Sequence, residues 1–505
     1  MQPEYIFETS WEVCNRVGGI YAVLSTRAAS MQAEHKDKVI FFGPDFGDHS
    51  NLTFKESKSL LKGWRPKGVR VGRWQVPGKP IAVLLKWDEV WAQKDAIYAH
   101  AWEKYGVQSH AAYGDYDESN MFAYAVGQLA ESLYNHLGQP TTAMHCNEWQ
   151  TAFTILYLKE HCPKIATLFT THATGIGRSI AGNYKPLYDC FHAFNGDQMA
   201  QELNMVSKHS VEKTAAHQAD CFTTVSDLTA RECAQLLDKP VDIVTPNGFE
   251  QGFVPQGKEF DTARKRARNT LISLARAKGI DAKGTDMLIG TAGRYEWKNK
   301  GIDVFIESLT RLGENFQQRS GLTAQGGLTS NSASGLKQVI AFVMIPYLDR
   351  QDFTVGNVHV IFVPTYLNGN DGVLNLPYYD LLIGLDLTVF PSYYEPWGYT
   401  PLESMAFHVP TITTSLSGYG VWCEEQGCTT IDKGVAVIYR NDSNTDDVIN
   451  HIVNTIEYYL SLTPRKVAAA RKAAVDLALQ AEWKNFFTYY REAYAIALKK
   501  AAARQ

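Results

Sequence analysis

Short apolar runs alternate with amphipathic stretches along most of this chain; the alternation stops once and then resumes. Runs at 5–9, 38–43, 143–147, 166–171, 221–225 and 243–246 have the length and side-chain content of strands. Stretches at 20–33, 118–137, 148–161, 206–219 and 227–237 carry apolar residues at helical spacing. Asp117 and Ser226 stand where helix N-caps belong. Alternation of this kind builds a parallel sheet with helices on both faces. After Thr245-Pro246-Asn247-Gly248 the chain stays polar to residue 283, with a basic helix predicted over 261–278. Strands then return at 287–292, 339–345, 358–363, 387–391, 411–414 and 435–439, with helices at 302–313 and 400–407, and 464–505 reads as helical throughout. The fold class is therefore α/β, with two open units and a helical tail. The boundaries fall at 1–248, 249–484 and 485–505. Ligands of such sheets sit beyond the carboxyl ends of the strands, so two facing units would hold one in the cleft between them. The stretch 51–80 reads as an insertion outside the core, and the Gly-, Ser- and Gln-rich stretch 318–334 as a mobile surface loop.

Composition removes several classes of function. The 505 residues are 45% hydrophobic and 20% charged, enough apolar material for two large cores. Lys and Arg number 49 against 53 Asp and Glu, a net charge of −4, so nothing favours nucleic acid or an anionic membrane as a partner. Eight cysteines include no C-x-x-C pair, which fits a reducing compartment. The first residues lack the basic start and apolar run of a signal peptide, and no run is long enough to span a bilayer. The expectation is a soluble, cytoplasmic protein.

Four segments carry candidate chemistry. Arg16-Val17-Gly18-Gly19-Ile20 follows the first strand and opens a helix; its glycines let backbone N–H groups approach an anion. It is neither a dinucleotide fingerprint nor a phosphate-binding P-loop. Thr171-His172-Ala173-Thr174 with Gly177-Arg178 lies just past a strand, where a His and an Arg suit a polar ligand. Arg294 and Lys300 lie together in the loop 292–301 before a helix, and two cations with a helix N-terminus suit a diphosphate leaving group. Tyr393-Tyr394-Glu395-Pro396-Trp397-Gly398-Tyr399-Thr400-Pro401-Leu402-Glu403 is the strongest signal: a rigid aromatic loop carries one carboxylate and the following helix a second. Three lookalikes carry less. Asp45-Phe46-Gly47 lacks the other kinase motifs, Asp115-Tyr116-Asp117 precedes a helix where acids cap, and His145-Cys146 has no further ligands at zinc spacing.

These segments, with Phe7-Glu8-Thr9-Ser10-Trp11-Glu12-Val13, Thr245-Pro246-Asn247-Gly248 and Ser417-Gly418-Tyr419-Gly420, resemble glycogen synthases of glycosyltransferase family 3, the animal and fungal type. The resemblance runs in order from about residue 5 to about residue 495. It implies a GT-B fold: two Rossmann-like domains facing across a cleft, with the C-terminal helix crossing back to the first. It implies transfer of glucose from UDP-glucose to the non-reducing end of an α-1,4-glucan such as glycogen, with retention, no metal and no cofactor. Glu395 matches the acid near the anomeric centre, and Trp397 and Gly398 match backbone contacts to glucose hydroxyls. Thr400 matches a diphosphate contact, Glu403 a ribose ligand and Tyr378 the ring that stacks on uracil. Arg294 and Lys300 match the cations that stabilise departing UDP. His172 matches the histidine near the sugar, and Arg16, Gly18, Gly19 and Arg178 match cleft residues of the first domain.

Two places depart from the pattern: Cys146-Asn147-Glu148-Trp149 stands where the family usually has a second His before Glu-Trp, and Asp386 stands where a His is common. The first leaves a sugar contact in doubt; the second, expected beneath the uracil-stacking ring, suggests a looser donor-base preference. The family also implies a homo-tetramer, and in animal and fungal members an arginine cluster senses glucose 6-phosphate alongside phosphorylated tails. Here the matching stretch 464–474 holds Arg465, Lys466, Arg471 and Lys472 among alanines and reads as a solvated amphipathic helix, and no such tails are visible. The expectation is an enzyme that glucose 6-phosphate does not activate. Two rival readings stay open: a retaining transferase using ADP-glucose or another acceptor, and a silent glucan- or nucleotide-binding protein. The Lys-Thr-Gly-Gly-Leu start of ADP-glucose synthases is absent, which weighs against that donor.

Overall fold

The computed structural model describes residues 2–47, 53–319 and 337–504. The loop expected at 318–334 falls outside them, except that Gln318 and Arg319 end the helix Ile302–Arg319. Contacts divide the chain into two units. One holds Met1–Asn183, Cys190–Glu250 and Glu482–Gln505; the other holds Tyr184–Asp189 and Gln251–Ala481.

Among the described residues the first unit is built on nine strands: β1 (Tyr5–Thr9), β2 (Val39–Pro44), β3 (Phe54–Glu56), β4 (Val69–Trp74), β5 (Ile81–Leu85), β6 (Thr142–Asn147), β7 (Ala166–Thr171), β8 (Cys221–Thr224) and β9 (Ile243–Val244). They lie in the order β3-β4-β5-β2-β1-β6-β7-β8-β9, parallel except at β3 and β4. Every residue of β2, β6 and β7 is buried, as expected of strands covered on both faces. The stretch 51–80 is not a mere insertion: it supplies β3 and β4, which extend the sheet antiparallel and bury Phe54, Val71 and Trp74. Its polar residues alternate with these apolar ones, the pattern of an edge hairpin with one wet face. Ser226 caps the helix Asp227–Leu236, its hydroxyl accepting from Thr229 N. Asp117 is not a cap, because the helix Tyr116–His136 starts one residue earlier; its carboxylate accepts from Lys94 Nζ at 2.9 Å and Tyr98 Oη at 2.8 Å.

The helix Trp483–Ala503 packs on β7 and β8 of this first unit. Trp483 Nε1 donates to Thr26 Oγ1 at 2.7 Å, and the Arg27 guanidinium lies 4.3 Å from the Tyr490 ring centre. The approach is close enough to require Gly248, where a Cβ would lie 2.7 Å from Trp483 N.

The second unit carries β10 (Met287–Ala292), β11 (Val339–Met344), β12 (Phe353–Val355), β13 (Val358–Phe362), β14 (Leu387–Val389), β15 (Thr411–Thr414) and β16 (Val435–Ile438). Their order is β12-β13-β11-β10-β14-β15-β16, with only β12 antiparallel. The helices Ile302–Arg319 and Thr445–Ser461 pack together and bury Phe305, Leu309, Leu312, Val448, Ile452 and Ile456 over the sheet. In each unit the loops that leave three neighbouring strands end at one edge. They leave β1, β6 and β7 in the first unit and β10, β14 and β15 in the second. That edge is where an open α/β sheet binds ligands.

Candidate active site

In the second unit, the loops after β10, β14 and β15 interlock. Asn299 O accepts from Tyr393 N at 2.9 Å and Tyr394 N at 3.1 Å, so the 294–301 loop holds the start of the aromatic loop. Gly301 has φ +64°, and a Cβ there would lie 1.9 Å from Pro391 O. Glu395 pairs through its backbone with the next loop: its N–H donates to Leu416 O at 3.2 Å, and its carbonyl accepts from Gly418 N at 3.0 Å. Trp397 O accepts from Tyr419 N at 2.6 Å and Ser417 Oγ at 2.9 Å. Gly398 enters the helix Tyr399–Ala406 at φ +110°, with Ser417 Oγ only 2.6 Å from where a Cβ would stand. The loop therefore needs glycine at 398 twice over, for its backbone angle and for the close approach.

This frame holds Glu395 against Lys300, whose ammonium donates to Oε2 of the carboxylate. Ser392 Oγ donates to the same oxygen at 3.4 Å. Arg294 is not drawn in with Lys300: its side chain is about half-exposed and pairs with Glu296 at 2.8 Å. The structure thus divides the two cations of this loop, one engaged on the carboxylate and one at the surface. Thr400 lies in the first turn of its helix. Glu403 is buried one turn further on and accepts from Tyr379 Oη at 2.6 Å. Tyr378 begins the helix Tyr378–Leu382 with its ring 5.8 Å from that of Tyr379. Burial, with the nearby Glu403 charge, raises its phenol well above the usual value.

Asp386 lies at the opposite end of β14 from Glu395. Its carboxylate accepts from Arg264 and Arg268, each at 2.8 Å, and from Leu288 N at 3.0 Å, with Arg471 at 4.0 Å. Asp386 therefore gives no ground for a looser base preference, because it faces the amino ends of the strands. Arg471 is equally not on a solvated face: burial and the neighbouring Arg264 charge lower its guanidinium to about 10.

In the first unit, β1, β6 and β7 deliver Glu12, Asn147 and His172 to one edge. The Glu12 carboxylate accepts from Gly18 N at 2.7 Å and Tyr21 N at 2.8 Å, at the start of the helix Gly19–His35. The Gly18 amide is therefore already engaged by an anion. A phosphate arriving there would meet a carboxylate, whereas a sugar hydroxyl could donate to it. Gly19 and Arg16 are exposed, and the Arg16 guanidinium lies 5.8 Å from the Tyr21 ring centre. Cys146, in β6, is wholly buried in the core.

His172 Nε2 lies 3.0 Å from Asn147 Oδ1, while Asn147 Nδ2 donates to Glu8 Oε1 at 3.0 Å and Thr9 O at 3.2 Å. Those two acceptors fix the amide orientation, so Oδ1 must accept and Nε2 must carry the proton. Burial, and then the Arg27 charge, pull the His172 imidazolium down to about 3. At neutral pH His172 is a neutral ring with its lone pair on Nδ1. Its backbone N–H donates to Glu148 Oε1 at 2.8 Å. Glu212 accepts from Thr171 Oγ1 and, at 2.9 Å, from Gly175 N, and Glu232 accepts from Thr174 Oγ1 at 2.7 Å. Burial and the Glu212 charge push Glu148 up to about 8, and burial pushes Glu212 to about 7; the Arg178 charge opposes both shifts. Three glutamates thus pin the His172 loop. Among the discounted lookalikes, Asp115 pairs with Lys208 at 2.7 Å and Asp117 with Lys94, so these acids have protein partners.

Glu212 and Glu232 do not stand out in the sequence, nor does the pairing of Asn147 with His172. Each acts on residues away from its own motif, which a local pattern does not encode.

Comparison with known proteins bears on both units. A family profile described as "Glycogen synthase" matches residues 8–357 and 347–505. "Glycogen [starch] synthase" of Neurospora crassa is 26% identical, covering 98% of this chain and 84% of that protein. The human "Glycogen [starch] synthase, liver" is also 26% identical, covering 98% and 84%. Among solved structures, the "Catalytic domain of Starch Synthase IV from Arabidopsis thaliana bound to ADP and acarbose" aligns with TM-score 0.62 at 15% identity, over 98% of this chain and 99% of that one. A "Trehalose-6-phosphate synthase. OtsA" aligns with TM-score 0.55 at 10% identity, over 98% and 99%. These neighbours share the GT-B glycosyltransferase fold with this chain.

Proposed function

The chain belongs to the glycogen synthase family, and from that premise we propose that it transfers glucose from UDP-glucose to the non-reducing end of an α-1,4-glucan, retaining the anomeric configuration and using no metal. It is a glycosyltransferase of glycogen synthesis; donor, stereochemistry and metal independence are our reading. The observation that supports it most is the Lys300–Glu395 pair, locked at the carboxyl end of the sheet by Gly301, Gly398 and Ser417. A departing diphosphate needs positive charge, and Lys300 supplies it beside a carboxylate able to stabilise a cationic sugar. Thr400, in the first turn of its helix, suits a phosphate oxygen, and Glu403 the ribose hydroxyls. Tyr378 offers the uracil a ring. On the acceptor side, neutral His172, Glu12 and Arg178 present hydrogen-bonding groups to sugar hydroxyls.

UDP release from UDP-glucose and from ADP-glucose, each with and without glycogen and in EDTA, tests this reading. Glycogen-dependent release from UDP-glucose that persists in EDTA is expected. Preference for ADP-glucose, no turnover, or strict dependence on Mg²⁺ would defeat it. Arg294→Ala and Lys300→Ala should each lower kcat more than donor affinity, because their charge matters most as UDP departs. A rise in donor KM with kcat unchanged would make them binding residues only.

We also propose that the enzyme is a cytoplasmic homo-tetramer and that glucose 6-phosphate does not activate it. The regulatory arginine stretch of its relatives matches the helix Pro464–Ala478, where Arg465 is exposed and Arg471 is turned inward to Asp386 with Arg264 and Arg268. An incoming phosphate would have to displace a carboxylate that already draws three guanidinium groups. The rate of UDP release is expected to stay flat across a glucose 6-phosphate titration; several-fold activation would refute this. Light scattering checks the tetramer.

A further inference from the structure

We propose that Asp442 is a positioning residue for the Glu395 loop, acting through Tyr393 and a strap formed by residues 184–189. The proposal builds on Glu395 as the reacting carboxylate.

The strap is unusual in the chain. It follows directly after the helix Gly175–Gly182, which belongs to the first unit together with His172 and Arg178, yet Tyr184–Asp189 folds with the second unit. One side chain gathers it in. Asp442 Oδ2 accepts from Tyr188 N at 2.9 Å and Asp189 N at 2.5 Å. The other oxygen, Oδ1, accepts from Tyr393 Oη. Tyr393 Oη in turn accepts from Leu187 N at 3.2 Å. A single carboxylate therefore joins the strap to a tyrosine two residues ahead of Glu395.

Tyr393 has little freedom of its own. It is 1% exposed, with Lys298 Nζ 4.2 Å from its ring centre, Arg440 at 5.5 Å and the Tyr188 ring edge-on at 5.4 Å. Its backbone N–H is held by Asn299, next to Lys300. Tyr393 thus joins the loop bearing Lys300, the loop bearing Glu395 and the strap. Without the Asp442 carboxylate the hydroxyl keeps the Leu187 amide at 3.2 Å and a longer contact to Lys185 O at 3.4 Å, and the Tyr188 and Asp189 amides lose this acceptor. The loop then has a second way to sit, and the reacting carboxylate with it. No hydrogen bond or ion pair joins Asp442 to Glu395, so its influence is on placement.

The test uses the full chain carrying Asp442→Asn or Tyr393→Phe, assayed for kcat and for donor and acceptor KM, with backbone deuterium exchange on the same samples. We expect kcat to fall by about 10- to 100-fold, the range that follows from displacing a reacting group by an ångström or so. Donor KM should stay within about twofold, and the double variant should lose no more than the worse single variant, as for residues acting as one unit. Exchange should rise at 184–189 and at 392–398 in both variants. Unchanged kcat, a change in KM alone, additive losses, or faster exchange confined to 184–189 would each overturn the proposal. If Asp442→Asn fails to fold, Tyr393→Phe, which removes one oxygen, decides alone. UDP release by the unmodified enzyme tests the donor reading separately, and the exchange at 392–398 reads the clasp whatever the donor is.

Discussion

Glu395→Gln is expected to fold as the native chain does and to lose turnover by about 10²–10⁴-fold, as for a carboxylate whose charge acts mainly in the transition state. The substitution keeps the shape of the side chain. It leaves untouched the backbone bonds from residue 395 to Leu416 and Gly418, which hold the loop. What it removes is the charge that Lys300 faces and that a positively charged sugar would need. Steady-state UDP release and a thermal melt check it together. A variant with native melting and near-native turnover would take Glu395 out of the mechanism.

The second large effect is on stability. Glu8 and Arg27 form an ion pair with both side chains fully buried in the first unit, beside His145, Tyr490 and Tyr494. Arg27→Met keeps most of the volume but leaves a buried carboxylate unpaired. Removing one partner of such a pair costs about 3–5 kcal/mol, far more than the pair itself contributes. The same change removes the cation lying over Tyr490 and close to Trp483, so the helix Trp483–Ala503 should loosen with it. Denaturant unfolding measures the loss, and Glu8→Gln in the same chain should restore part of it. A loss below about 1 kcal/mol would mean the site rehydrates or rearranges freely.

Much of this is visible in the residues. The strands Tyr5–Thr9, Ala166–Thr171, Met287–Ala292 and Thr411–Thr414 fall where the apolar runs place them, because a strand buried on both faces is written in contiguous residues. The aromatic loop 393–403 can be picked out because a Pro, a Trp and a Gly pinned between two acids have few other uses. The contacts that hold these pieces are hidden. Asp386 pairs with Arg264 and Arg268, which lie 122 and 118 residues earlier in the chain. Asp442 reaches Tyr188 across 254 residues. The hairpin β3–β4 escapes a reading by composition because one of its faces is wet, so its residues resemble those of a loop. Arg294 and Lys300 look equivalent in sequence; the folded loop separates them by turning one towards Glu296 and the other towards Glu395.

The helix Trp483–Ala503 belongs to the first unit but is encoded after all of the second. On the ribosome, domains usually fold as they emerge, the earlier one first. Here that order cannot be completed. The sheet β1–β9 emerges early, but the surface over β7 and β8 and the Arg27 guanidinium must wait, uncovered, while the intervening residues of the second unit, Gln251–Ala481, are translated. The nascent first unit keeps that surface bare until its own last helix arrives, and the second unit is the first that can reach its finished form.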